Sequence, residues 1–218
     1  MTAIAVKICG VTRPDDASFA AQVGADYLGL NFWSGSKRRV EVGQARALAR
    51  CARAGRPAIR LVGLFVDAPA AEVIATATAL GLEVVQLHGD EGADVVAACR
   101  AAGLEVWKAV PVAGAADVDD LGRWGADALL LDAPSAGRGG SGQQFDWSHA
   151  ARAVAAGHRV VLAGGLTAAN VATAIQAVRP FAVDVASGVE QAAGVKDPVR
   201  VQHFLDAARR GVSYLTRR

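Results

Sequence analysis

The sequence predicts a single (β/α)8 barrel, on three observations. A unit recurs in which an Ala-rich amphipathic stretch ends at a glycine and a short apolar run follows: "AAQVGADYLGLNF", "TATALGLEVVQLHG", "ACRAAGLEVWKAV" and "GRWGADALLLDA". Eight strand-length runs follow one another along the chain. They are near-continuously apolar, as strands are when parallel neighbours and helices cover both faces. The 218 residues allow about 27 per unit, ample for a strand and its helix. A doubly wound open sheet is the rival architecture. It needs fewer strands, and the first turn lacks a G-x-G-x-x-G fingerprint. No linker interrupts the chain, so residues 1–218 read as one domain.

The elements follow in order. "AIAVKIC" (3–9) is the first strand, and Pro14-Asp15-Asp16 supplies the proline and acids suited to a helix's first turn. Gly24 is placed as the left-handed residue that stops that helix. Tyr27–Phe32 is the second strand, and a helix starts near Val42. "RLVGLFV" (60–66) precedes a helix from Ala68-Pro69 that stops at Gly81. Glu83–His88 leads into a helix from Gly89-Asp90-Glu91 that stops at Gly103. Glu105–Val110 is followed by a helix from Ala115 and a stop at Gly125. Ala128–Asp132 is the sixth strand, with the next helix from Asp146-Trp147. "RVVLAGG" (159–165) precedes a helix from Thr167, and "FAVDVASG" (181–188) one from Asp197-Pro198. The tail "VSYLTRR" (212–218) is expected to follow the last helix and has no assigned role.

Bulk properties exclude several classes. The 23 basic and 21 acidic residues give a net charge of +2, so no electrostatic footprint for nucleic acid or an anionic membrane is expected. No apolar run approaches the roughly 18 residues of a membrane span, and the apolar N-terminus is too short for a signal peptide. The expectation is a soluble cytoplasmic protein. Cys9, Cys51 and Cys99 are far apart, and the histidines do not pair at zinc spacing, which argues against disulfides and structural zinc. Cys51 and Cys99 lie in helix-like text and read as small packing residues. Cys9 alone ends a strand.

Sites in such a barrel gather at the carboxyl ends of the strands. Gly164 and Gly165 open the loop after strand seven, and Ser187-Gly188 follows strand eight. Adjacent loops with exposed N–H groups and a helix N-terminus make a phosphate cradle. Otherwise these glycines only serve tight turns. Asp132 closes three leucines, where desolvation would raise its pKa and let it hold a proton near neutral pH. The glycine-rich segment after it reads as either a lid or a solvated loop. Alternation puts Lys7 on the same face as Cys9, inside the barrel, and Asp132 on that of Leu130. An ammonium near Cys9 would lower its thiol pKa; the other reading of Lys7 is an interior ion pair. Arg38 could fork onto a carboxylate or belong to a solvated basic loop. His88 could donate to substrate or simply pack.

The chain resembles the phosphoribosylanthranilate isomerase family of tryptophan biosynthesis. The resemblance is carried, in family order, by "VKICGVT" (6–12), "GADYLGLNFWSGSKRRV" (24–40), "VGLFV" (62–66), "VQLHGDE" (85–91), "LLLDA" (129–133), "GGSGQQFDW" (139–147), "LAGGLTAANV" (162–171) and "RPFAVDVASGVE" (179–190). It implies a (β/α)8 TIM barrel that needs no cofactor and no metal. The implied reaction is the Amadori rearrangement of N-(5-phosphoribosyl)anthranilate to 1-(2-carboxyphenylamino)-1-deoxyribulose 5-phosphate. It further implies Cys9 as general base and Asp132 as general acid. Arg38 would face the anthranilate, and Gly164, Gly165, Ser187 and Gly188 would hold the phosphate. Asp184 matches a family aspartate near the site. In one departure, Ser34 stands where the family usually carries a proline.

Two other functions compete. A related isomerase of histidine synthesis would act on a phosphoribosyl-formimino substrate, with an aspartate expected in place of Cys9. A non-catalytic phosphate-binding barrel would keep the two glycine loops but would not need Cys9 and Asp132. The expected partner is a phosphorylated small molecule. A monomer is the default, and a dimer is possible.

Overall fold

The computed structural model describes residues 4–112, 118, 120–132 and 147–215. Among them the chain closes eight parallel strands into one barrel in sequence order. The strands are β1 (Ala5–Cys9), β2 (Tyr27–Asn31), β3 (Arg60–Phe65), β4 (Val84–Leu87), β5 (Glu105–Pro111), β6 (Ala128–Asp132), β7 (Val160–Leu162) and β8 (Ala182–Val185). Helices Pro14–Gln22, Val42–Gly55, Ala70–Leu80, Ala93–Ala101, Trp147–Ala155, Val171–Val178 and Pro198–Leu215 surround them. The expected eight-strand count and the closed architecture are both present. No described helix is long and apolar enough to cross a membrane. The helix expected from Ala115 begins outside the described residues, and Leu121–Trp124 forms a 3-10 turn.

Gly24, Gly81, Gly103 and Gly125 all have positive φ, at 99°, 61°, 83° and 61°. That conformation is nearly free for glycine and strained for other residues, so each ends its helix and turns the chain into the next strand.

The differences from the sequence reading have local causes. The helix expected at Gly89-Asp90-Glu91 begins at Ala93, because Glu91 is buried and accepts the N–H groups of Asp67 and Gly89, both at 2.8 Å. Its Oε2 also receives Lys108 Nζ at 2.8 Å. The helix expected at Thr167 begins at Val171. There the Asn170 side chain folds back, its Oδ1 accepting Thr167 N–H at 2.8 Å and its Nδ2 donating to the Gly165 carbonyl at 3.0 Å. Two short antiparallel strands, β9 (Glu190–Ala192) and β10 (Val195–Lys196), form a hairpin the sequence reading missed. The last helix continues to Leu215, so residues 212–215 are part of it rather than a tail.

Two apolar layers result. One lies between sheet and helices; Cys99 is fully buried within it and Cys51 packs against it as a half-buried residue, as expected of small packing residues. The other fills the barrel, with Val62, Val84, Leu130 and Val161 around Trp107. At the N-terminal end Tyr27 meets Trp107 edge-on, with centroids 4.8 Å apart, and Arg159 lies 3.5 Å above the Phe181 ring. Glu105 ties this plug together. It accepts Trp107 Nε1 at 2.8 Å, Arg159 Nη1 at 2.7 Å and Arg60 Nη1 at 2.7 Å. Burial pushes the Glu105 carboxyl up, but these donors and their charges outweigh it and hold the pKa below the ordinary value. A lowered folded pKa stabilises above the unfolded value and is lost as pH falls through the folded one. Glu105→Gln is therefore expected to cost about 1–3 kcal/mol at pH 7. The deficit should shrink with acidification, as urea unfolding over a pH series would register.

Candidate active site

β1 brings the first chemical groups together. Its alternation sends Lys7 and Cys9 into the barrel, with Lys7 opposite Asp184 and Cys9 opposite Gly29 in register. A Cβ on Gly29 would lie 2.8 Å from Cys9 Sγ, so that glycine makes the room in which the thiol sits. Lys7 is fully buried. Its Nζ donates to Gln86 Oε1 at 2.8 Å and to Asp184 Oδ1 at 3.0 Å, and its charge acts on the Cys9 thiol. An ammonium can only donate, so Lys7 fixes the orientation of the Gln86 amide. Gln86 Nε2 then faces His88 Nδ1 at 2.8 Å as a donor. Nδ1 must accept, which places the proton of the neutral imidazole on Nε2.

Lys7 thus fulfils both readings. It is an interior ion pair, and its charge acts on the thiol. Burial works against its charge, yet Asp184 and Cys9 hold its pKa above the ordinary value. The expected lowering of the Cys9 pKa does not prevail. Burial pushes the thiol up, Asp184 adds to the rise, and the opposing pull of Lys7 is too weak to reverse it.

Arg38 reaches the site from the loop after β2. Asn31 Oδ1 accepts the Trp33 N–H at 2.9 Å, and Ser36 Oγ accepts both Asn31 Nδ2 at 3.1 Å and the Arg38 N–H at 3.0 Å. These bonds brace the loop without a proline at Ser34. The guanidinium is not a solvated loop cation. It forks onto Glu190, Nε to Oε1 at 2.8 Å and Nη2 to Oε2 at 2.7 Å. Lys196, 2% exposed, donates to the same Oε1 at 2.8 Å and to the Cys9 carbonyl at 2.6 Å.

A cavity of about 270 Å³ opens at the carboxyl ends of the strands. Cys9, Arg38, His88, Asp132 and Asp184 all line it, together with Asn31, Trp33 and Gln86. Asp132 is half-buried at the end of β6, with Leu130 on its face, as alternation required. The glycine-rich segment read as either a lid or a solvated loop lies outside the described residues. Gly164, Gly165, Ser187 and Gly188 do not line this cavity. They form two loops pressed against one another, and a Cβ on Gly188 would run into the Leu166 carbonyl oxygen.

Sequence reasoning missed Gln86, Glu190 and Lys196. Gln86 carried one usable signal, a polar residue inside "VVQLH" two positions before His88 and so on the same face. Chemically, the cavity offers a thiol beside an ammonium, a carboxyl on a facing strand, a histidine N–H donor and a clamped guanidinium. That inventory suits proton transfer on an anionic substrate. Among the described residues no cluster of three His, Cys, Asp or Glu side chains is spaced to hold a metal ion.

Comparison with known proteins identifies the family. Residues 6–207 match the family model for N-(5'-phosphoribosyl)anthranilate (PRA) isomerase. The N-(5'-phosphoribosyl)anthranilate isomerase of Pelobacter propionicus is 44% identical over 216 residues, covering 98% of this chain and all of the relative. The crystal structure of phosphoribosyl anthranilate isomerase from Thermus thermophilus superposes with a TM-score of 0.86 at 37% identity, over 97% of this chain and all of that one. A phosphoribosyl anthranilate isomerase in complex with reduced 1-(o-carboxyphenylamino)-1-deoxyribulose 5-phosphate superposes with a TM-score of 0.83 at 35% identity, over 94% and 98%. The chain belongs to the N-(5'-phosphoribosyl)anthranilate isomerase family.

Proposed function

We propose that this cavity isomerises N-(5-phosphoribosyl)anthranilate to 1-(2-carboxyphenylamino)-1-deoxyribulose 5-phosphate in tryptophan biosynthesis, with Asp132 as general acid and Cys9 as general base. The observation that carries the assignment is the opening of Cys9 on β1 and Asp132 on β6 into one cavity. An acid and a base on separate strands can address two faces of a sugar between them.

Asp132 gives its proton to the ribose ring oxygen. The C1′–O bond breaks, and the anthranilate nitrogen lone pair forms a C1′=N iminium. That cation acidifies C2′–H. The Cys9 thiolate takes this proton, and the C–H electrons form the C1′=C2′ bond while neutralising the nitrogen. The resulting enolamine loses its C2′ hydroxyl proton and gains one at C1′ to give the ketone. A thiolate whose pKa is raised by burial is a strong base once ionised, at the cost of a small ionised fraction at neutral pH. His88, with its proton on Nε2, is a hydrogen-bond donor to the substrate, and Arg38 receives the anthranilate carboxylate. Asp184 keeps Lys7 charged beside the thiol.

The phosphate is assigned to the loops of Gly164-Gly165 and Ser187-Gly188, where backbone N–H groups and close backbone approach favour an anion. Gly188→Ala pushes that loop off the Leu166 carbonyl. It is expected to raise KM by roughly 10- to 100-fold with a smaller change in kcat. Weakened competitive inhibition by inorganic phosphate would accompany it.

The deciding experiment is a fluorescence assay of anthranilate-ribotide consumption by the wild-type chain, run beside the phosphoribosyl-formimino substrate of histidine synthesis. Turnover of the first alone is expected. Turnover of the second alone would replace this reading, and turnover of neither would favour a phosphate-binding barrel without catalysis. The active species is taken to be a monomer, and its sedimentation tests that.

A further inference from the structure

We propose that Glu190 is a positioning residue for the substrate's anthranilate carboxylate: by gripping the Nε–Nη2 edge of Arg38, it turns the Nη1 edge of the guanidinium toward the cavity. This rests on the isomerase reading above.

A guanidinium is planar and has two edges that match a carboxylate, Nε with Nη2 and Nη1 with Nη2. Glu190 occupies the first, at 2.8 and 2.7 Å, and neither bond uses Nη1. Arg38 nonetheless lines the cavity. A group held along one edge presents the other in a fixed direction and loses less side-chain freedom when a second carboxylate arrives.

The grip itself is rigid. Glu190 is 6% exposed. Its Oε1 also accepts Lys196 Nζ at 2.8 Å and the Gly194 N–H at 3.2 Å. Its carbonyl accepts Arg200 Nη1 at 2.6 Å. The hairpin carrying it is tied to the loop after β1 by Thr12 Oγ1, which donates to the Gly194 carbonyl at 2.6 Å. The Lys196 ammonium also donates to the carbonyls of Cys9, at 2.6 Å, and Ala186, at 3.3 Å. One buried ammonium therefore links Glu190 to the strand that bears Cys9 and to the end of β8. Within this cluster two cations face one anion, which leaves a positive charge at the mouth for a carboxylate. Glu190 and Lys196 are positioning residues in this scheme, since neither needs to touch substrate.

Two probes test it by calorimetry: reduced 1-(o-carboxyphenylamino)-1-deoxyribulose 5-phosphate, and its phenylamino counterpart without the carboxylate. Wild type is expected to prefer the first. Glu190→Gln keeps the size of the side chain but grips only one guanidinium nitrogen as acceptor. It is expected to weaken the carboxylate probe roughly tenfold or more and to leave the other within about twofold. Equal loss of both probes would make Glu190 merely structural and overturn the proposal. Unchanged or tighter binding of the carboxylate probe would overturn it too, because Glu190 would then be competing for Arg38. Should Glu190→Gln not fold, Arg38→Lys decides. It keeps the charge but has no second edge, so retention of the full carboxylate preference would overturn the scheme. Wild type that binds neither probe and turns over no substrate would instead bring down the isomerase reading on which the scheme stands.

Discussion

Cys9→Ala is expected to cut turnover of N-(5-phosphoribosyl)anthranilate by about 10²- to 10⁴-fold, the range for loss of one proton-transfer partner. The protein should stay folded. The thiol is small, faces Gly29 and leaves little volume behind, so a stability change within about 1 kcal/mol is expected. Cys9→Ser sharpens the test. It keeps the shape and a polar group at that position, but its hydroxyl does not ionise near neutral pH, and it should be as inactive as alanine. Asp132→Asn should lose a similar factor, since an amide has no carboxylic proton to give. The double variant should fall little further than either single one, because the two groups act in one proton-transfer sequence. Fluorescence decay of the substrate at saturating concentration measures all four. Near wild-type kcat in any single variant would remove that residue from its role. The pH profile adds an independent sign. Only the thiolate can accept the C2′ proton, so wild-type turnover should climb as pH rises toward the thiol pKa, which burial places above that of a free cysteine.

The barrel was legible because its punctuation is local. Four glycines stop helices by adopting a backbone conformation that needs no distant partner. Period-two alternation correctly put Lys7 and Cys9 on one interior face and Asp132 with Leu130 on another. Strand ends then brought Cys9, Arg38, His88, Asp132 and Asp184 to one cavity. What could not be read was set by contacts across the chain. Glu91 looks like a first-turn acid, and only the fold reveals Lys108 beside it. Arg38 looks like one of three loop cations until a glutamate 152 residues away takes its guanidinium. The hairpin at 190–196 is too short to show a period, and its turn at Gly194 resembles any loop glycine. The net sign of the Cys9 shift was misread for the same reason. The ammonium is visible in "VKIC", but the depth of burial that outweighs it belongs to the whole barrel.

Lys7→Met is expected to lower stability by about 3 to 5 kcal/mol, the usual cost of removing one partner of a buried ion pair. Asp184 would be left nearly buried with its charge uncompensated, and Gln86 Oε1 without its donor at 2.8 Å. The pH window follows from the direction of the shift. Lys7 has a raised folded pKa, so its contribution is complete below the unfolded lysine value and fades only as alkaline pH rises through the folded value. Urea unfolding near pH 7 should therefore show the full deficit. The same variant predicts a kinetic effect of distinct origin. Lys7 is the largest influence opposing the rise of the Cys9 pKa, and without it the rising limb of the turnover profile should move to higher pH. Adding Asp184→Asn separates the two effects. It removes the stranded charge and should recover part of the lost stability, whereas an amide cannot replace the ammonium beside the thiol. Asp184→Asn also removes a charge that raises the Cys9 pKa, so the limb of the double variant is compared with that of Asp184→Asn alone. Coincidence of the two would show that Lys7 only holds the barrel. Recovery of stability with the limb still displaced from that of Asp184→Asn would show that it also sets the base.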